Sequence, residues 1–268
     1  MRNRKASAGL LALWTGMLAA ADKPAILAVF GHPDDEQMVS GALARYAKAG
    51  HPVYLAIITS GQKGVRPHAG IPAGEALARV REQESRCACK EMGIREPFLL
   101  GFQDQGISTA AEMDQVVARL REIFDRVKPA VVITWGPDGL SGHPDHRAAS
   151  NLATQVFQQQ SALGHKPSRL YYVAIPESRF LPPPPGWAER PPRTVADVWV
   201  TTEIDARAEH EAARRALDCH KTQFDAESFQ RMHLLRDKIL DGRVFLRLAL
   251  GTVRAGRARE RDLFEGLK

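Results

Sequence analysis

The chain has 268 residues, 44% of them hydrophobic and 25% charged, the proportions of an ordinary globular protein long enough to bury one large core. The formal charge is +6, but Arg2, Arg4 and Lys5 supply three of those charges from an N-terminal segment expected to be removed. The remaining +3, with no interleaving of basic and aromatic residues, argues against a nucleic-acid partner.

In chain order, residues 1–21 read as a signal peptide: a basic start, an apolar run from Ala8 to Leu18, and the small-residue cleavage site Ala19-Ala20-Ala21. The run is shorter than the roughly 20 residues a bilayer-spanning helix needs, so no stable membrane span is expected. The mature chain, 22–268, is expected to be one domain, exported to the periplasm or secreted. Its cysteines, Cys87, Cys89 and Cys219, give no disulfide framework or cysteine metal site and are expected to be buried small residues.

Ile26 to Phe30 is an apolar run that predicts a buried strand ending at Gly31-His32-Pro33-Asp34-Asp35-Glu36. A helix is predicted over Val39 to Ala49 and a second strand over Pro52 to Thr59. The turn Ser60-Gly61-Gln62-Lys63-Gly64 lacks both the phosphate-loop and the dinucleotide pattern, so no nucleotide cofactor is expected. Glu75 to Met92 predicts a strong helix closed by Gly93. Then come a strand at Phe98 to Gly101, a helix over Glu112 to Val127, and an almost wholly apolar strand at Pro129 to Trp135.

A fifth strand is predicted at Leu170 to Ile175. The proline-rich stretch 181–192 follows as a stiff excursion that could roof a cleft, with Trp187 available to stack on a sugar. Asp197 to Thr202 reads as a last strand and Ala206 to His220 as a helix. The extension 225–268, where Arg254, Arg257, Arg259 and Arg261 are interspersed with Glu260 and Asp262, reads as a solvated helix or frayed terminus. Strands alternating with helices predict an α/β fold, a doubly wound, mostly parallel, Rossmann-like sheet with helices on both faces. Ligands of such sheets collect beyond the carboxyl ends of the strands, at the switch point beside strand one.

Two polar clusters fall at such ends. His32 and Asp35 are good zinc ligands, and Asp34 beside them is placed to take a proton from an attacking water. Taken alone, the same carboxylates could merely cap a helix. The second cluster, Gly142-His143-Pro144-Asp145-His146, follows the fourth strand, which neighbours the first across the switch point. His146 can complete a His, Asp, His set. That leaves His143 as a non-ligand imidazole, which Asp145 could orient.

The two motifs together resemble those of the PIG-L/LmbE family of zinc-dependent deacetylases acting on N-acetylglucosamine-type substrates. The likeness extends to Thr59 through Gly64, to Arg81 with Glu84, to Leu100-Gly101-Phe102 with Asp104, and to His220 through Gln223. The resemblance implies one zinc per chain on His32, Asp35 and His146, although ferrous iron could take the same ligands. It makes Asp34 the general base, His143 the group that stabilises the oxyanion or protonates the leaving amine, and Arg81 a substrate contact. A small-molecule, glycan or glycolipid amino sugar is then the expected partner. Ser141 stands where some relatives carry a tyrosine, Gln62 replaces a common Glu, and Glu36 has no assigned role. Two other readings use the same residues: a non-haem iron oxygenase with a two-histidine, one-carboxylate site, and a sugar-binding relative without turnover.

Overall fold

The computed structural model describes residues 23–159, 162–184, 187, 189, 191–252 and 259–267. The expected signal peptide, together with Arg254 and Arg257, lies outside the described residues. Seven strands form one sheet: β1 (Ala25–Phe30), β2 (Val53–Thr59), β3 (Phe98–Phe102), β4 (Pro129–Thr134), β5 (Arg169–Ala174), β6 (Thr202–Asp205) and β7 (Arg243–Leu250). Their order is β3-β2-β1-β4-β5-β7-β6. The first five run parallel to one another, while β7 runs antiparallel to both β5 and β6.

Every residue of β1 is buried, as a strand covered on both faces requires, and its side chains head the main core with those of β2 and β4. The helices are α1 (Ser40–Lys48), α2 (Glu75–Met92), α3 (Ala110–Val127), α4 (Pro144–Gln158), the short α5 (Glu177–Phe180), α6 (His210–Asp218) and α7 (Ala226–Leu234). Local chemistry fixes their ends. Gly93, at φ 69°, closes α2 with its N–H on the last turn, and Thr109 with Glu112 forms a reciprocal capping box at the start of α3. Among the described residues no helix is long and apolar enough to cross a membrane.

The expected doubly wound sheet is present, with β1 and β4 adjacent in register Ile26↔Val131. The C-terminal part departs from expectation. Asp197–Trp199 is a single helical turn, β6 begins only at Thr202, and α6 is shorter than the predicted helix. The extension read as a solvated helix or frayed end instead supplies β7, inside the sheet. Its strand pattern was hidden by Arg243 and Arg247. Arg243 pairs with Glu203 at 3.1 Å and Arg247 lies over the Tyr172 ring. Beyond it, Glu260 is buried in a two-pronged pair with Arg169 of β5 (2.9 and 3.2 Å), which ties the chain end to the sheet.

The cysteine expectation also fails. Cys87 on α2 and Cys219 after α6 form a disulfide with Cα atoms 5.9 Å apart, leaving Cys89 as the buried free thiol. The pairing spans 132 positions and exists because α6 packs along α2. Nothing local to either cysteine announces it.

Candidate active site

Because β1 and β4 are neighbours, the loops leaving their carboxyl ends face each other, and both predicted clusters fall into one cleft of about 750 Å³. His32, Asp34, Asp35, Asp104, Trp135, His143 and His146 line its floor. The proline-rich segment does form a wall, with Trp187, Pro191, Pro192 and Arg193 facing Arg66 and Gln223.

Hydrogen bonding fixes what each floor residue can offer. His32 turns Nε2 towards Asp145 Oδ2 at 3.1 Å and Asp104 Oδ1 at 3.4 Å. That nitrogen therefore carries the proton, and Nδ1 keeps its lone pair. His146 places Nδ1 2.9 Å from the Gly139 carbonyl and 3.2 Å from Ser141 Oγ, so Nδ1 donates and Nε2 is the free acceptor. Asp35 Oδ2 accepts three N–H groups, from Gly31 (3.0 Å), His32 (2.9 Å) and the Trp135 indole (3.1 Å). Oδ1 is left to face His146 Nε2 at 3.1 Å.

Two imidazole lone pairs and one carboxylate oxygen thus converge, with His146 Nε2 only 3.2 Å from His32 Nδ1. Acceptors at that spacing repel unless a cation sits among them. Ligand atoms each about 2.0–2.1 Å from a tetrahedral metal lie roughly 3.3 Å apart; His146 Nε2 keeps that spacing to both His32 Nδ1 and Asp35 Oδ1, while the nearest Asp35 oxygen to His32 Nδ1 is Oδ2, at 3.8 Å. The residues therefore fit a divalent cation on the cleft floor. His32, Asp104 and Asp145 also cluster, but Asp104 and Asp145 sit on the far nitrogen of His32, where they orient the ring.

The electrostatics follow from this crowding. Burial works to lower His32, but Asp104, Asp145 and Asp35 push it up to about 10, so without a cation Nδ1 holds a second proton, which a bound cation would displace to expose the lone pair. Burial works to raise Asp35, yet His146 and His32 hold it well below the usual carboxylate range. Asp104 is drawn down to about 2 by its contact with His32, against burial. Asp34 moves the other way. Burial raises its carboxyl, the Arg81 guanidinium opposes that, and the neighbouring Asp35 charge adds to it.

His143 caps α4, its Nδ1 accepting the Asp145 N–H at 3.2 Å, so its Nε2 bears the proton. Burial, then the His32 and His146 rings, lower its affinity for a second proton. It is a neutral donor on the cleft floor.

Two expected roles change. Asp145 holds His32 and takes the Gln105 N–H (2.8 Å), whereas only its backbone reaches His143. Arg81 borders the cleft, but both its terminal nitrogens are committed to protein: Nη1 to Gly61 O (2.7 Å), Nη2 to Pro33 O (2.6 Å) and Asp34 Oδ2 (3.2 Å). It is 3% exposed and positions the Asp34 loop. This explains the glycines of the turn after β2. A Cβ on Gly61, at φ 60°, would lie 2.0 Å from Arg81 Nη1, and one on Gly64 2.5 Å from it.

The sequence reading missed Trp135, which donates to Asp35 and stacks on His146 with ring centres 4.9 Å apart. Its place at the end of β4, next to the second motif, was the available signal. Glu36 also finds its partner, the buried His220, at 2.6 Å.

A family model described as GlcNAc-PI de-N-acetylase, PIG-L, matches residues 27–157. A 1D-myo-inositol 2-acetamido-2-deoxy-alpha-D-glucopyranoside deacetylase from Rhodococcus opacus is 31% identical, with 90% of this chain and 98% of that protein covered. One with the same name from Thermobispora bispora is 32% identical, with 74% and 78% covered. Among solved structures, the N,N'-diacetylchitobiose deacetylase of Pyrococcus horikoshii superposes with a TM-score of 0.64 at 18% identity, covering 84% of this chain and 83% of that one. The 4-carboxy-2-hydroxymuconate hydratase GalB from Pseudomonas putida gives the same TM-score at 16% identity, covering 88% and 100%. The fold therefore serves more than one reaction, and the chemistry has to be read from the site.

Proposed function

The chain belongs to the PIG-L family of de-N-acetylases, and from that premise we propose that its cleft binds one zinc ion on His32 Nδ1, Asp35 Oδ1 and His146 Nε2 and deacetylates an N-acetylglucosaminide. The activity is hydrolysis of an amide C–N bond, releasing acetate and a free amine. One observation carries the site assignment: His146 Nε2 lies at metal-ligand spacing from both His32 Nδ1 and Asp35 Oδ1, with a burial-raised carboxylate and a neutral imidazole on the same floor.

Bound there, the cation would polarise the acetyl carbonyl and make water a better acid. The chain's own groups supply the rest. Asp34, whose carboxyl is raised towards neutrality, takes the proton of the attacking water and can later return it to the departing amine. His143, held with Nε2–H outward by the Asp145 amide, donates to the oxygen on which charge develops. Asp145 and Asp104 keep the His32 ring turned with Nε2 towards them, which leaves Nδ1 to hold the ion when one is bound. The volume and the wall of Trp187, Pro191 and Pro192 suit a sugar carrying an aglycone. The relatives that share about 30% of the sequence are inositol glycoside deacetylases, so such glycosides head the substrate series to be tried. The disulfide supports export to an oxidising compartment after removal of residues 1–21.

Neither Asp34 nor His143 is needed for binding alone, which disfavours a sugar-binding relative without turnover. Acetate release measured without oxygen, with zinc as the added metal, separates hydrolysis from oxygenation. The decisive variant is Asp34→Asn. It is expected to retain one metal per chain while kcat falls by about 10²–10⁴. Normal turnover in that variant would refute the assigned base.

A further inference from the structure

Asp34 is a non-glycine residue at φ 103°, outside the regions that side chains adopt freely, so its surroundings must impose that backbone. Two side chains do so. Arg81 of α2 grips the Pro33 carbonyl and the Asp34 carboxylate, and Glu36 Oε2 accepts the Asp34 N–H at 3.1 Å. Glu36 is itself fixed by His220, 2.6 Å from its other oxygen, with the two residues 1% and 0% exposed.

His220 belongs to a short segment fastened to the same helix that carries Arg81. Cys219 is bonded to Cys87 of α2. Thr222 donates from N and from Oγ1, each at 2.7 Å, to Glu84 of α2, and Gln223 Nε2 reaches Gly64 O at 2.9 Å. The base is thus held from α2 directly and from residues 219–223, and the disulfide locks these two supports together. Cys87 is exposed, at the edge of a surface depression of about 750 Å³, so a small reductant can reach the bond.

We propose that the Cys87–Cys219 disulfide and the His220–Glu36 pair form one brace that positions Asp34 for proton transfer, so that turnover depends on the oxidised disulfide. The inference rests on Asp34 being the base. None of the brace residues needs to touch substrate. Their effect should appear in kcat, because displacing a reacting group by about 1 Å can cost roughly 10²-fold.

The test uses the intact metal-loaded protein with an aryl N-acetylglucosaminide. A trialkylphosphine reduces the disulfide to two thiols, is oxidised to the phosphine oxide, and takes that oxygen and the two protons from water. Thiol counting, metal content, melting temperature, kcat and KM are measured on each sample. The expected result is a fall in kcat of about 10–100-fold with KM and metal content unchanged, reversed on reoxidation. His220→Ala should show the same split. His220→Gln, which keeps a donor towards Glu36, should recover part of the rate. Full turnover by the reduced protein overturns the proposal. So does a loss that follows metal release, a rise in KM, or unfolding at the assay temperature, because the disulfide then serves the metal site or the fold. Asp34→Asn separates the two readings. If it is active, the base assignment fails. If it is inactive while the reduced protein runs at full rate, only the brace fails.

Discussion

The parallel strands β1 to β5 and the antiparallel pair β6 and β7 do different work. The segments after β1 and β4 hold every group proposed to bind the ion or move a proton: His32, Asp34 and Asp35 just past β1, and His143 and His146 at the start of α4, the helix that follows β4. Among the described residues, the C-terminal part puts no group among the proposed metal ligands. It contributes His220 and Gln223, which support the Asp34 loop and its neighbouring turn, and Glu260, which closes the sheet through Arg169. A parallel sheet aims reactive groups from its carboxyl edge. An antiparallel edge completes and fastens that sheet, so damage to the two regions should read out in different observables.

The largest separation should come from Arg169. Its guanidinium is buried against Glu260, Thr252 O and Glu265 O, so Arg169→Ala strands a buried carboxylate. Denaturant unfolding is expected to show a loss of about 3–5 kcal/mol, while kcat per folded molecule and metal content hold. A drop in kcat at full folding would show that the C-terminal tether also governs the chemistry.

His143→Ala should do the opposite. Removing one donor to a developing oxyanion costs about 10²–10³ in kcat, with stability and metal content close to those of the parent. Loss of the metal instead would make His143 a ligand, in line with its nearness to His32 and His146.

Asp145→Asn tests the role the structure reassigned. With the carboxylate on His32 Nε2, metal affinity should weaken by about 10–100-fold, measured by competition with a chelator. An unchanged affinity with a slower chemical step would return Asp145 to the orientation of His143.

These outcomes bear on what was legible in the chain. That His32, Asp35 and His146 meet in one cleft could be read because each motif compresses its chemistry into five or six residues after an apolar run, and strand adjacency then joins the two. The fate of Glu36 could not be read, since its partner His220 is 184 positions away and is brought in by α6 packing on α2. The disulfide was hidden for the same reason. β7 was hidden for a different one: its arginines have partners in the fold that the sequence does not display, so a strand looked like a solvated segment. Asp104 lay inside a stretch resembling the family, but its contact with His32 depends on β3 lying two strands from β1.

The smallest effect belongs to the capping box of α3, which serves stability in the parallel part and stands apart from the cleft. Glu112 accepts the N–H groups of Ser108 (2.9 Å) and Thr109 (2.8 Å) and both hydroxyls, and these bonds draw its carboxyl down to about 2. A carboxylate lowered in the folded state stabilises fully only above its unfolded value of about 4.5, and that contribution fades as pH falls towards 2. Glu112→Gln should therefore melt slightly below the parent at pH 7, with the gap closing between pH 4.5 and 2 and the deacetylation rate at pH 7 unaltered. The exposed, solvent-screened position keeps the gap small. A gap that persists at pH 2 would mean that the cap acts through geometry the amide cannot reproduce. A change in rate would mean that α3 reaches the cleft through β3 and Asp104.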